Sequence, residues 1–193
     1  QQAIPRYIST DADGGDEREF LDGYFPTTGA MLDAVFLKGY QWPFDPSKIA
    51  NHGSSLVDLL VYFERTVKKR RVFLDYRLNP ARADNNGRLD VSLLGGETRA
   101  YLEKSGALAK ARPIDRLVTM NRPAYELFRD NGTDLERAPL EIAVCNQHAN
   151  GGLAGDIWWE SPLKHFFPVG EVNGSHGVRR PGGSALNAGQ VGG

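Results

Sequence analysis

Residues 54–78, SSLVDLLVYFERTVKKRRVFLDYRL, decide the fold class, because the spacing of their apolar residues changes period partway along. Leu56, Leu59, Leu60, Phe63 and Val67 recur at intervals of three and four, which sets them on one face of a helix. Ser54 or Ser55 is placed to cap its start. From Val72 the period drops to two. Val72, Leu74, Tyr76 and Leu78 alternate with Phe73, Asp75 and Arg77, the pattern of a strand. Between the two stands a basic run, Lys68, Lys69, Arg70 and Arg71. It either binds an anion or complements the helix dipole on a solvated surface, and the second reading is preferred.

Toward the N-terminus, residues 27–39 (TTGAMLDAVFLKG) have helical spacing at Met31, Val35 and Leu37/Lys38, with Gly39 as the expected stop. Residues 40–49 form an aromatic loop, since Pro43 and Pro46 forbid a long regular element. The acidic stretch 9–23 resembles a calcium loop at Asp11, Asp13 and Asp16. The spacing fails, because the sixth position is Asp16 and the twelfth Asp22 where glycine and glutamate are required. A solvated turn feeding a helix is expected there instead. In the other direction, 81–90 is a turn-rich loop and 96–108 a helix. Residues 113–132 open on Pro113, should kink or split at Pro123, and stop at Gly132. After Pro139 come three short strand-like runs, 140–144, 156–161 and 165–170, separated by glycine-rich turns. The expected fold is α+β: a helix-rich domain with a small sheet at 1–138, then strand pieces and a helix start of a second, incomplete domain at 139–193. No internal repeat is visible.

The 193 residues carry a net charge of −1 and a single cysteine, Cys145. No basic field argues for nucleic acid, and one cysteine permits no internal disulfide. No apolar run is long enough to span a bilayer, and the opening residues lack the layout of a signal peptide. The expectation is a cytoplasmic protein with no membrane insertion. The chain opens without methionine and closes on LNAGQVGG, which reads as a helix cut off after its start, so a piece of a longer protein is expected. The apolar runs after Pro139 should then pair with strands from the remainder or cover themselves by dimerisation.

Chemistry-bearing residues concentrate near the C-terminus. Residues 181–189 (PGGSALNAG) read as a glycine loop entering a helix. Bare glycines admit close approach of a ligand, and the first free amides of a helix favour negative charge. Arg180 stands just before the loop and has the planar fork that grips a carboxylate. A tight strand-to-helix turn accounts for the same glycines equally well. Cys145 and His148 lack the second pair that a metal site needs, so no metal is expected. His52 and His165 read as surface or loop residues, and Met31 and Met120 as ordinary packing. Trp158 and Trp159 alternate on the expected strand, so at least one should be in a core. No Gly-x-Ser-x-Gly surrounds Ser184, which disfavours a serine hydrolase.

Residues 167–189, FPVGEVNGSHGVRRPGGSALNAG, together with 148–152, HANGG, resemble the closing segment of the flavoprotein subunits of the succinate dehydrogenase and fumarate reductase family. The family's strand ending in Gly-Glu stands here as Gly170-Glu171, its His-Gly-x-x-Arg as His176 to Arg180, and its Gly-Gly helix opening as Gly182-Gly183-Ser184. Proline stands at 181 where the family has leucine. The resemblance implies FAD as cofactor and hydride transfer between flavin and a carbon–carbon bond of a carboxylate-bearing substrate. It implies a capping domain over the substrate (1–138) and the closing segment of the FAD-binding domain (139–193). His148 and Arg180 are the implied catalytic residues, with His148, His176 and Arg180 holding the substrate. Glu171, Gly182, Gly183 and Ser184 are the implied FAD contacts. The family's proton-delivering arginine lies in a segment not found here, for which Arg6 and Arg18 are the guesses. The Gly-x-Gly-x-x-Gly platform for the pyrophosphate is also missing from the sequence, so the isolated chain is expected to be inactive. The implied partners are the substrate and the rest of the FAD-binding domain. The alternative is a non-catalytic binding or interaction module that retains the cap and the glycine loop.

Overall fold

A computed structural model of the chain describes residues 1–41, 44–144, 152–173 and 189–191. The fold is α+β, with helices around small antiparallel sheets. The chain divides into two compact units, which part after Val144.

In the first unit, β1 (Arg6–Thr10), β2 (Arg18–Glu19), β3 (Arg71–Asp75) and β6 (Leu140–Ile142) form one antiparallel sheet in the order β2-β1-β3-β6. β1 pairs with β3 over its whole length, setting Tyr7 opposite Leu74 and Ile8 opposite Phe73. The acidic stretch is therefore a hairpin loop and not a turn feeding a helix. Asp11 accepts hydrogen bonds from the amides of Asp13 and Gly15 and closes the reversal between β1 and β2. β3 is the strand expected from its alternation, but both its faces are covered. Arg71 stacks over Phe73, and Asp75 lies under Arg6 and Arg77. A smaller hairpin, β4 (Asp84–Asn85) and β5 (Arg88–Leu89), turns at Asn86 and Gly87, both with positive φ, as a two-residue hairpin loop requires.

Helix α1 (Thr28–Tyr40) starts where the Thr27 hydroxyl accepts the Ala30 amide. Gly39 does not stop it. That glycine is inside the last turn because a Cβ there would stand 2.6 Å from the Gln2 nitrogen. α3 (Gly96–Lys104) begins at Gly95, whose amide is held by both oxygens of Asp33 from α1 at 3.0 and 3.1 Å. α4 (Pro113–Met120) and α5 (Arg122–Asp130) are the two halves of the segment that Pro123 was expected to split. Asn121 caps the second half through the Ala124 amide, and Gly132 follows its end at φ +82°.

The helix of residues 54–67 departs from its expected face. α2 (Leu56–Tyr62) passes into a π-helical turn, Phe63–Val67. The buried stripe is Val57, Leu60, Val61 and Glu64, a second face with ordinary helical spacing. Leu59, Phe63 and Val67 of the expected stripe are exposed. The core runs through Ile4, Leu32, Phe36, Val72, Leu102 and Leu135, all essentially inaccessible to solvent. Burying one leucine such as Leu102 contributes about 1.5–3 kcal/mol relative to leaving it exposed.

The second unit is organised by turns. Of the three strand-like runs, only 140–144 contains a strand, β6, and that strand belongs to the first unit's sheet. Residues 156–161 form a turn in which the Asp156 carboxylate accepts the amides of Trp158 and Glu160. Residues 165–169 are not in a strand, and Pro168 has no donor to give a ladder. Neither tryptophan is in a core: Trp158 is 76% exposed and Trp159 half-buried at a positive φ. His52 and His165 are exposed and outside α-helices and strands, as expected. No described helix is long and apolar enough to cross a membrane.

Candidate functional site

The expected site residues His148, His176, Arg180, Gly182, Gly183 and Ser184 lie outside the described residues, as does Cys145. Glu171 lies inside them, on a 3-10 turn, Gly170–Asn173. A hydrogen bond ties that turn into the second unit, and Gly155 packs close to it. The Leu153 amide donates to the Val172 carbonyl at 2.7 Å, and the Asn173 side-chain nitrogen would be 3.1 Å from a Cβ on Gly155. Gly170 has φ +79°, and none of the described residues stands within 4 Å of where its Cβ would be. A Cβ on Gly189 would be 3.6 Å from the Gly170 Cα. The Gly-Glu turn therefore lies against the helical residues 189–191 that follow the glycine loop in sequence.

Two ionic clusters organise the first unit, and both absorb arginines that the sequence left open. Arg6 binds Asp75 at 2.6 Å and also approaches Glu17 and Glu19. Arg77 binds the same Asp75 through its side chain and its amide. Burial pushes the Asp75 carboxyl up, but hydrogen bonds from Arg77 and Arg6 outweigh it and hold it below the usual carboxylate range. For Glu19 burial prevails over the Ala81 amide and Arg6, and its carboxyl is raised. Arg6 is thus a sheet-bracing residue.

The second cluster surrounds Glu64, the buried residue of the π-turn. Its carboxylate accepts the Ser9 hydroxyl at 3.0 Å and pairs with Lys68 at 2.5 Å, with Arg70 at 3.6 Å and Arg18 at 3.8 Å. Arg70 also donates to the Ser9 hydroxyl and binds Asp16 at 2.8 Å. Arg71 meets Glu141 of β6 at 2.7 Å. The basic run at 68–71 is therefore neither an anion site nor a simple dipole complement, because three of its cations are bound to carboxylates. The sequence carried a signal for this. A second stripe at 57, 60, 61 and 64 has the same helical spacing as the expected one and ends on a glutamate.

Arg116 was missed altogether. It is fully buried on α4, and burial lowers its pKa to about 10. Its five N–H groups go to the carbonyls of Ala3, Ile4, Lys110 and Ala111 and to the Asn79 side-chain oxygen. Nothing in PIDRLVTM distinguishes this arginine from a solvated one. No group of three or more His, Cys, Asp or Glu side chains among the described residues is arranged to hold a metal ion.

Two curated proteins are similar to parts of this chain. A 65-residue stretch is 43% identical to one subunit of the fumarate reductase (CoM/CoB) of Methanothermobacter marburgensis, covering 33% of this chain and 12% of that protein. A 90-residue stretch is 27% identical to L-aspartate oxidase of Pyrococcus furiosus, covering 46% of this chain and 19% of that protein. The chain thus spans less than a fifth of the length of either relative. No family model and no solved structure matches the chain.

Proposed function

We propose that the chain is part of a FAD-dependent oxidoreductase of the fumarate reductase and succinate dehydrogenase type. The first unit, which includes β6, would cover the substrate, and the second, after Val144, would close the FAD-binding domain. The observation that carries this reading is the contact between the Gly170–Glu171 turn and Gly189. It brings together two parts of the segment 167–189 that carries the resemblance. The similarity of the chain to parts of a fumarate reductase and of an L-aspartate oxidase supports the same class.

The turn at Gly170 and Glu171 would meet a polar, hydroxylated part of the cofactor such as a ribityl chain. When bound, FAD would supply hydride to an activated carbon–carbon double bond, or accept it in the reverse direction. Arg180 would grip a substrate carboxylate with its planar fork, with His148 and His176 completing the hold. The amides of Gly182, Gly183 and Ser184 would face the carbonyl edge of the flavin ring and stabilise negative charge there. The partners are then a small carboxylate substrate and the remainder of the FAD-binding domain, in a cytoplasmic protein.

A second reading, a binding module without catalysis, draws on one observation. Arg6, Arg70 and Arg77 are committed to ion pairs internal to the fold. Steady-state kinetics of the full-length protein separate the two. Arg180→Lys keeps the charge and loses the fork. It should lower kcat/KM on an acid substrate by about 2–5 kcal/mol of transition-state stabilisation, with flavin content and Tm unchanged. Loss of flavin or of the fold, with normal activity per bound flavin, defeats the assignment. Absence of turnover and of flavin in the full-length wild type favours the module.

A further inference from the structure

We propose that Arg116 is a buried latch holding the Ala3–Ile4 turn in a strained conformation, and that the segment leading into β1 is a hinge which opens when this latch is released. Two independent observations meet at the turn. Ile4 has φ +52°, a left-handed backbone that a β-branched side chain adopts only when its surroundings force it. The Arg116 guanidinium, on an element far away in sequence, reaches across to the carbonyls of Ala3 at 2.9 Å and Ile4 at 3.5 Å.

Both partners in this contact are under tension. A buried cation is normally neutralised by a carboxylate, because its desolvation is costly. Every Arg116 donor instead ends on a neutral oxygen, and the adjacent Asp115 is bound to Arg112 at 2.8 Å. Opening the turn would relax the Ile4 backbone and free for water the two Arg116 donors that end on the turn. What opposes opening is the burial of Ala3 and Ile4, both within 1% of complete, the packing of Gln2 against Gly39, and the two Arg116 hydrogen bonds that end on the turn. Favourable and unfavourable contributions are thus confined to a few residues, whereas β1 beyond them is locked to β3 along its whole length. A segment with that balance opens on its own, ahead of the sheet.

Native-state hydrogen exchange on the full-length protein tests this. In the wild type, the Ile4 amide, which donates to the Gln1 carbonyl at 2.8 Å, should exchange through a local opening that is insensitive to low denaturant. The β1 and β3 amides should need a larger, denaturant-sensitive opening. Arg116→Met keeps the length of the side chain and removes its donors. It should speed Ile4 exchange by about tenfold or more while leaving the β3 amides within about twofold of the wild type. Asn79→Ala removes one Arg116 bond without touching the turn's carbonyls, and should give a smaller effect at the same amide. The proposal is overturned if Ile4 exchanges only with the sheet in the wild type. It is equally overturned if Arg116→Met speeds all protected amides alike or leaves Ile4 unchanged. If Arg116→Met does not fold, the wild-type denaturant series alone decides.

Discussion

The two units use similar residues to opposite effect. Up to Val144 the apolar side chains find covering layers. Leu32, Phe36, Leu102 and Leu135 are sealed, and even the charged Glu64, Asp75 and Arg116 are buried with their hydrogen bonds made inside the fold. In the second unit, Ile157, Trp158 and Leu163 are 85%, 76% and 69% exposed, and Phe166 and Phe167 about half so. The runs that hold them are as apolar as the strands of the first unit. What differs is the availability of neighbours. An apolar run becomes a strand only where a partner offers a hydrogen-bonding ladder and a second layer covers its face. β6 shows both sides of this rule. It comes from the same stretch of sequence as the other two runs, and it is a strand because β3 is beside it.

The sharpest way to break this comparison is to remove a leucine from the sealed core. Leu102→Ala should destabilise the first unit by about 3–4 kcal/mol, through lost transfer energy and the cavity left behind. Urea denaturation followed by far-UV circular dichroism reads this. A cost below about 1 kcal/mol would mean that the core around α3 collapses freely and is not close-packed.

A somewhat smaller effect is expected at the buried carboxylate. Asp75→Ala should cost about 3 kcal/mol, at the low end for breaking a buried pair, because Arg6 and Arg77 retain some solvent. The pH dependence carries a sign. The folded Asp75 carboxyl lies below its unfolded value, so its pairing stabilises the fold above the unfolded pKa of about 3.9 and is lost as pH falls through the folded value. Glu19 is raised and acts oppositely, favouring the fold at low pH and losing that contribution as pH rises through its folded value. Acid titration of the urea midpoint should therefore show a fall in stability below about pH 4 in the wild type. The fall should be shallower in Asp75→Ala. An equal fall in both would assign the acid sensitivity elsewhere.

The smallest effect belongs to the second unit. Trp158→Ala should change the stability of the chain by no more than about 0.5 kcal/mol, although tryptophan is the larger side chain, because no core is lost. A cost near that of Leu102→Ala would show that Trp158 is covered in solution.

The candidate site was legible as a pattern and only partly as an arrangement. Gly170, Glu171 and the glycine loop stood out because backbone-exposing residues beside charge form a compact signal. Only the turn at Glu171 and its contact with Gly189 fall within the described residues. Glu64 was legible in principle from the stripe at 57, 60, 61 and 64. Arg116 was not, because nothing within reach of its own sequence neighbours reveals that the carbonyls of residues 3 and 4 complete its coordination.

By itself, the sequence determined the features whose physics acts over a few residues. These are the start of α4 at Pro113, the division at Pro123 and the stop at Gly132. At these positions caps, prolines and glycines choose the backbone locally, whereas at Gly39 the packing against Gln2 overrode the local signal. Tertiary structure decided which face of α2 is buried, that residues 6–19 form a hairpin, and which apolar run becomes a strand. Each of those depends on a partner far along the chain, as β1 on β3 and Glu64 on Ser9. Hydrogen-bond ladders and buried charges are settled only when such partners meet.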